Sequence, residues 1–467
     1  LALIKSISGI RGTIGGKTGE ALTPVDTVKF TAAYATHLIK SNVIPKVVVG
    51  RDARISGHMI SDLVCATLQG CGIEVINLGL STTPTVEIAV KELGAGGGII
   101  LTASHNPSNW NALKLLNSDG EFLSAEEGIK LLEYAENEDF QFAKVNKLGE
   151  ITEDNTQLDK HIQKIVDLPL VNTSLIEAKN FRIVVDAVHS SGGIAIPKLL
   201  KALGVQNVEL MYGEPTGHFP HNPEPLPENL TSIIGKMENG NYDLGIVVDP
   251  DVDRLAFISE DGTPFGEEYT LVAVADYVLS KTKGNTVSNL SSTQALRDVT
   301  QKAGAAYFAS AVGEVNVVAQ MKVCNAVIGG EGNGGVIYPE MHYGRDALTG
   351  IALFLTHLAE FGKSAKMLRS TYPSYHISKN KIELTPEIDV DFVLEKIGEK
   401  YKKQSLNKID GLKIEFDNEW IHLRKSNTEP IIRIYSESHS ASTANNLANK
   451  MIIDIKEIIA YKAEADD

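Results

Sequence analysis

The chain has 467 residues, with 44 Lys and Arg against 59 Asp and Glu and a formal net charge of −15. That length exceeds a single hydrophobic core and, at ~100–200 residues per domain, predicts three or four. The acidic balance argues against nucleic-acid binding, which relies on Lys and Arg neutralising phosphates, so an anionic substrate must meet locally gathered cations.

The opening "LALIKSISGIRG" lacks a secretory h-region, and no run nears the ~18 apolar residues of a membrane helix. Cys65, Cys71 and Cys324 form neither a zinc spacing nor a disulfide framework. A soluble cytoplasmic protein is expected, with no membrane partner. Thr23, Pro24 and Asp26 read as a helix start, a hydroxyl cap with proline in the first turn. From Lys46 the pattern runs "KVVVG", a helix after Ser56-Gly57, "IEVINLG", a helix after Pro84, then "GGIILTA". Short strands alternating with longer helices predict βαβ units and a mostly parallel sheet. The rhythm returns at "FRIVVDAVHSSGG", "NVELMYG" and "LGIVVDPDVDR", and again at "NTVSNLSST", "AAYFASAVGE" and "AVIGGEGNGG". Three α/β units in series are therefore expected, with too little identity among them to establish duplication. The tail, with "LKIEF", "EWIHLR", "IIRIYSES" and a closing amphipathic helix, predicts a smaller α+β domain. Compositional breaks place the four units at residues 1–150, 151–260, 261–375 and 376–467. The Pro- and His-rich Gly213 to Leu230 segment reads as a long loop, and its His218 and His221 lack the partners of a metal site.

Ligands in open parallel sheets bind beyond the carboxyl ends of strands. "GRDARISG", "TASHNP", "DPDVDR" and "GGEGNGG" each follow an apolar strand, and "RKSNTEP" follows "EWIHL", so the units can aim one loop each at a shared cleft. Asp249, Asp251 and Asp253 alternate through a tight loop and can turn three oxygens toward one hard cation, most simply Mg²⁺. An EF-hand does not fit, because Arg254 stands where the loop needs glycine and the flanks read as strands. Ser104 is a small exposed nucleophile or, alternatively, a helix cap. Adjacent side chains in an extended loop point apart, so His105 is not expected to reach it as a base. A serine opposite a magnesium site suggests phosphoryl transfer, with Lys114 nearby in sequence. Gly330, Gly332 and Gly335 make a formal G-x-G-x-x-G, but "VIYPE" after it reads as a strand, so a turn presenting Glu331 and Asn333 to hydroxyls fits better than a dinucleotide site. Arg424, Ser426, Asn427, Thr428 and Arg433 gather the cations and hydroxyls that hold a phosphate monoester, although an ordinary surface turn could carry the same residues.

Taken together, "SGIRG", "TASHNP", "DPDVDR", "GGEGNGG" and "RKSNTEPIIR" resemble, in order, the active-site signatures of the α-D-phosphohexomutase family. The resemblance implies three similar α/β domains and a fourth α+β domain around a central cleft. It makes Ser104 a phosphoserine bound to one Mg²⁺ with Asp249, Asp251 and Asp253, and makes His105 and Lys114 proton-transfer groups. Arg11 and Arg254 would flank the transferring group, Glu331 and Asn333 would meet the sugar, and Arg424, Ser426, Asn427, Thr428 and Arg433 would hold the idle phosphate. The implied reaction interconverts hexose 6-phosphate and 1-phosphate through a bound 1,6-bisphosphate, in a monomer or homodimer. Five cations, Arg11, Lys114, Arg254, Arg424 and Arg433, would offset the charge of three carboxylates and two phosphates that one Mg²⁺ leaves. Asn333 and Gly335 depart from the family's usual Ser and His, Pro250 and Asn427 stand where Gly is common, and "VGEVNV" lacks a usual basic residue. The Glu-Gly-Asn-Gly-Gly form resembles the branch acting on glucosamine phosphate, with mannose or glucose phosphate the alternative. A magnesium-dependent phosphatase and a non-catalytic sugar-phosphate sensor are the readings from other classes.

Overall fold

The computed structural model describes residues 2–6, 9–384, 388–425 and 431–466. Its first long helix, Pro24–Lys40, starts where side-chain chemistry sets it. The Thr23 hydroxyl accepts from the Asp26 amide, the Asp26 carboxylate reaches back to the Thr23 amide, and Pro24 occupies the first turn.

A seven-stranded mixed sheet follows the order Leu3–Ser6, Gly9–Thr13, Trp110–Leu116, Gly97–Leu101, Lys46–Arg51, Glu74–Leu80 and Ile151–Glu153. The second sheet runs Leu255–Ser259, Leu244–Val248, Arg182–Asp186, Asn207–Met211, and the third runs Gly335–Ile337, Ala326–Glu331, Asn285–Asn289, Tyr307–Ser310. One arrangement recurs in all three. A strand parallel to its inner neighbour turns straight back into an antiparallel partner: Gly97–Leu101 into Trp110–Leu116, Leu244–Val248 into Leu255–Ser259, and Ala326–Glu331 into Gly335–Ile337. The recurrence that sequence identity leaves unproven is thus visible in topology. The "TASHNP", "DPDVDR" and "GGEGNGG" loops thus leave the carboxyl ends of strands as hairpin turns, whereas "GRDARISG" leads from a strand into the helix Gly57–Gly70. The fourth unit is antiparallel, in the order His376–Glu383, Ile431–Ser438, Trp420–Lys425, Leu412–Glu415, Ser405–Asn407. Ile397 of the helix Val390–Lys400 and Met451 and Ile455 of Ala441–Asp466 pack on Ile414, Leu423 and Ile434 of that sheet. Three α/β domains and one α+β domain result.

The acidic "LGEITEDN" read in sequence as a break at 150 is in part a strand. Ile151–Glu153 pairs in parallel with Glu74–Leu80 and closes the edge of the first sheet. All three of its residues are exposed, so its composition mimics a linker. The second and third units share one continuous core. Ile183, Ile246 and Phe257 of one meet Ile328, Leu348 and Phe354 of the other, and Phe257 stacks on Phe354 at 3.8 Å between centroids. The first and fourth units have cores of their own. Among the described residues, no helix is long and apolar enough to cross a membrane.

The fourth unit docks on the third through polar contacts. Lys413 Nζ donates to the Leu290 carbonyl at 2.8 Å, and the Gln294 amide donates to Glu437 Oε1 at 3.0 Å. His422 Nε2 donates to the Asp410 carbonyl at 2.6 Å, which leaves Nδ1 to accept from Ser291 Oγ at 2.9 Å. Burial pushes the His422 pKa down to about 4, with Lys413 and Arg424 adding repulsion. Its stabilising effect is complete above the unfolded value of ~6.5 and is lost as pH falls through the folded value. Below that unfolded value the unfolding free energy should fall by up to ~1.4 kcal/mol per pH unit from this residue, and His422→Gln should flatten the slope in urea titrations.

Candidate active site

The serine loop is held by its backbone. Arg54, 1% exposed, donates to the carbonyls of Ser104 at 2.5 Å, Asn106 at 2.7 Å, Pro107 at 2.7 Å and Trp110 at 2.9 Å, while its Nε pairs with buried Asp52 at 3.1 Å. The Thr102 hydroxyl donates to Asp52 at 2.6 Å and accepts from the Ser104 amide at 2.9 Å. So constrained, Ser104 takes a left-handed backbone with φ of 48°, a conformation uncommon outside glycine. This overturns one sequence expectation. Side chains diverge along extended backbone, but here the Ser104 Oγ lies 3.4 Å from His105 Nδ1. Burial, then Arg254, holds the His105 pKa well below the ordinary histidine value, so its imidazole is neutral.

The Ser104 hydroxyl donates to Asp249 Oδ2 at 2.6 Å across the boundary between the first two units. Asp249, Asp251 and Asp253 are fully buried, with ligand atoms within 4.8 Å of one another. Lys114 Nζ lies 2.6 Å from Asp251 Oδ2 and 3.3 Å from Asp253 Oδ2, and Thr83 Oγ1 donates to Asp251 Oδ2 at 2.6 Å. Burial opposes the Lys114 charge, but Asp251 and Asp253 outweigh it and hold its pKa above the usual lysine value. Burial, then repulsion from Asp251 and Asp253, raises Asp249 well above the ordinary carboxylate range. Asp251 Oδ1 and Asp253 Oδ1 are buried without a hydrogen-bond partner. Orphaned carboxylate oxygens converging on a third carboxylate fit a hard divalent cation with oxygen ligands.

Two cavities of about 780 and 830 Å³ adjoin and share Arg11, His105, Arg254, Glu331, Asn333 and Arg424. Ser104 and Lys114 line the first and Arg433 the second, so the structure brings these predicted residues to one cleft. Ser426, Asn427 and Thr428 lie outside the described residues. Burial, then Arg254 and Arg345, lowers the Arg11 pKa. Glu331 Oε1 accepts from Asn289 Nδ2 at 2.9 Å and from the Gly313 amide at 3.2 Å. A Cβ at Gly334, where φ is 87°, would lie 2.2 Å from the Leu255 carbonyl oxygen, so only glycine lets this turn lie against the second sheet.

Several of the cations counted from sequence already have protein partners. Lys114 pairs within the triad, Arg254 with Glu224 at 3.1 Å, and Arg424 with Asp410 at 2.8 Å. Glu224 comes from the long Pro- and His-rich loop, in which His221 contacts Asp186 at 3.0 Å. Sequence reading missed Arg54, Glu224, Asp410 and Arg345. Arg54 stood inside the quoted "GRDARISG", but nothing in one sequence marks it as the clamp of a loop fifty residues away. Cys65 and Cys71 are buried, and burial raises their thiols to about 11, which keeps them unreactive.

A serine hydroxyl bonded to a buried carboxylate triad, in a cavity that adjoins a second lined by arginines, is the layout of an enzyme that moves phosphoryl groups on a sugar phosphate. The phosphoglucomutase/phosphomannomutase α/β/α domains I, II and III match residues 3–142, 159–262 and 266–375, and the C-terminal domain of that family matches 385–453. The chain belongs to this family and is a phosphohexomutase, an isomerase-class phosphotransferase. It is 35% identical to a phosphoglucomutase/phosphomannomutase of Thermococcus kodakarensis, over 93% of this chain and 95% of that one. It is 31% identical to a probable phosphoglucosamine mutase of Methanopyrus kandleri, over 95% and 96%. A phosphoglucosamine/phosphogalactosamine mutase of Sulfurisphaera tokodaii is also 31% identical, over 95% and 97%. The crystal structure of a phosphoglucomutase/phosphomannomutase family protein from Burkholderia thailandensis shares the fold, with a TM-score of 0.83 at 24% identity over 97% and 98% of the two chains.

The Arg54 clamp is directly testable. Arg54→Met would strip four loop carbonyls of their donor and leave buried Asp52 without its counter-charge, so urea unfolding should show a loss of about 3–5 kcal/mol.

Proposed function

We propose that the chain interconverts glucosamine 6-phosphate and glucosamine 1-phosphate in the cytoplasm through a phosphorylated Ser104. The observation that carries the reading is the 2.6 Å contact of Ser104 Oγ with Asp249, in a cavity that shares Arg424 with an adjoining cavity lined by Arg433. One cavity can transfer a phosphoryl group while the other holds the phosphate that is not reacting.

In this reading Asp249, Asp251 and Asp253, with a phosphate oxygen on Ser104, hold one Mg²⁺ per chain. When bound, the ion supplies neutralisation of charge on the transferring group. The sugar hydroxyl forms a new O–P bond as the bond to Ser104 Oγ breaks, and neutral His105 is placed to accept the hydroxyl proton. Lys114, fixed on Asp251 and Asp253, keeps a positive charge beside the reaction, and Arg11 and Arg254 flank it. The hexose 1,6-bisphosphate so formed turns end for end while Glu331 and Asn333 meet its hydroxyls. Ser104 then takes back the other phosphate. The Arg424 to Arg433 turn, with Ser426, Asn427 and Thr428, grips whichever phosphate is idle. Closure around the sugar keeps water from capturing the phosphoryl group. The amino sugar is favoured because the relatives include proteins named phosphoglucosamine mutase. The relative named phosphoglucomutase/phosphomannomutase supports the second reading, mannose or glucose phosphate.

Phosphorus NMR of the protein with Mg²⁺, a trace of hexose 1,6-bisphosphate, and glucosamine, mannose and glucose 6-phosphates in separate tubes tests both. The glucosamine tube should form its 1-phosphate fastest. Faster conversion of mannose or glucose phosphate reassigns the sugar, inorganic phosphate alone identifies a phosphatase, and unchanged spectra overturn the enzyme assignment of Ser104. Ser104→Ala should lower kcat at least ~10³-fold while calorimetry still detects sugar-phosphate binding.

A further inference from the structure

Arg345 lies on the stretch between the strand Gly335–Ile337 and the helix Ala347–Phe361, in none of the five motifs. Its guanidinium reaches three carboxylates, from the aspartate loop, from the end of the strand Ala326–Glu331 and from the start of the helix Glu314–Cys324. NH2 donates to Asp253 Oδ2 at 2.7 Å, NH1 to Glu331 Oε2 at 3.1 Å, and Nε to Glu314 Oε2 at 3.0 Å. Its own backbone amide donates to Glu314 Oε1 at 2.8 Å. Arg345 is 8% exposed and touches the cavity that holds Ser104, so these are desolvated contacts and not surface pairs. A planar fork fixes direction as well as charge, which an ammonium does not.

The geometry has two consequences. Asp253 presents Oδ2 to Arg345 and Lys114, which turns its partnerless Oδ1 away from them. Glu331 presents Oε2 to Arg345 and Oε1 to Asn289 and the Gly313 amide, so its carboxylate plane is fixed from both ends. We propose that Arg345 is the positioning residue that sets Glu331 in register with Asp253, so that the hydroxyl-gripping carboxylate and the candidate metal loop keep one spacing while the sugar turns. Glu314 serves as the counterweight that orients the guanidinium. The inference rests on the reading of Glu331 as a sugar contact and adds a residue that acts through it, without touching substrate.

The test is a double-mutant cycle read by binding, so that it does not depend on turnover. In a Ser104→Ala background with Mg²⁺, calorimetry measures the Kd of glucosamine 1-phosphate for Arg345→Gln, Arg345→Lys, Glu331→Gln and the Arg345→Gln, Glu331→Gln pair. Arg345→Gln should weaken binding at least ~10-fold, and Arg345→Lys should recover part of that loss by restoring charge without the fork. With Glu331→Gln already present, Arg345→Gln should add less than ~3-fold, because the group it positions is gone. Thermal unfolding checks that each variant is folded, and if the glutamine variant is not, the lysine variant carries the same cycle. Parent-like binding by Arg345→Gln, or losses that simply multiply in the pair, would overturn the proposal. Absence of binding by the Ser104→Ala parent would overturn it as well. Turnover of the unmutated protein in the NMR experiment stands apart, since its failure removes the mutase reading and leaves the result of the cycle interpretable.

Discussion

The site is organised by negative charge that has no water to dilute it. Asp249, Asp251 and Asp253 are each fully buried, and Glu314 and Glu331 lie close by with little exposure. Isolated carboxylates in such surroundings would take up protons, and burial does raise Asp249 and Glu314. Asp251 goes the other way: against burial, Lys114 at 2.6 Å and the Thr83 hydroxyl lower it below the carboxylate range. Placement of Lys114, Arg345 and the loops around them therefore follows from one requirement, that several anions share a dry space and two oxygens stay available to a cation.

The fold meets that requirement by repeating one device. In each α/β unit the motif turn joins a buried strand to an antiparallel neighbour, and in the fourth unit Trp420–Lys425 and Ile431–Ser438 likewise pair antiparallel. A hairpin turn anchored on two sheet strands is held at both ends by backbone hydrogen bonds, which suits residues whose spacing must hold to tenths of an ångström. The serine loop needs more support because it is the longest of the three α/β turns. Arg54 supplies it, with Asp52 and Thr102 behind.

Much of this was legible in the sequence. Runs such as "GIVVD" and "GGIIL" marked central strands because parallel strands buried on both faces need no polar alternation. The triad was legible because alternating aspartates directly after such a strand have few structural uses. The backbone of Ser104 was not. Left-handed geometry at a serine is imposed by an arginine far away in sequence, so local rules predicted divergence from His105 where the structure has proximity. Arg345 was equally silent. It sits in "YGRDALTG", where an arginine before a helix cap looks like ordinary punctuation, and its partners lie 14, 31 and 92 positions away. The strand Ile151–Glu153 beside the break at 150 was not legible for a simpler reason, since exposed edge strands and linkers have similar compositions.

The shared core of the second and third units has a consequence for how the cleft can work. Phe257 and Phe354, in face-to-face contact, tie the sheet below the aspartate loop to the helix beside Glu331, and among the described residues the fourth unit meets that block through hydrogen bonds of Lys413, Gln294, Glu437 and His422 and a single stack of Tyr375 on His439. Packed aromatic cores are stiff, whereas a buried polar seam holds only while each partner stays paired. The molecule is thus built like a vice, with one rigid central block and an outer jaw whose seam is made of directed hydrogen bonds rather than of packed rings.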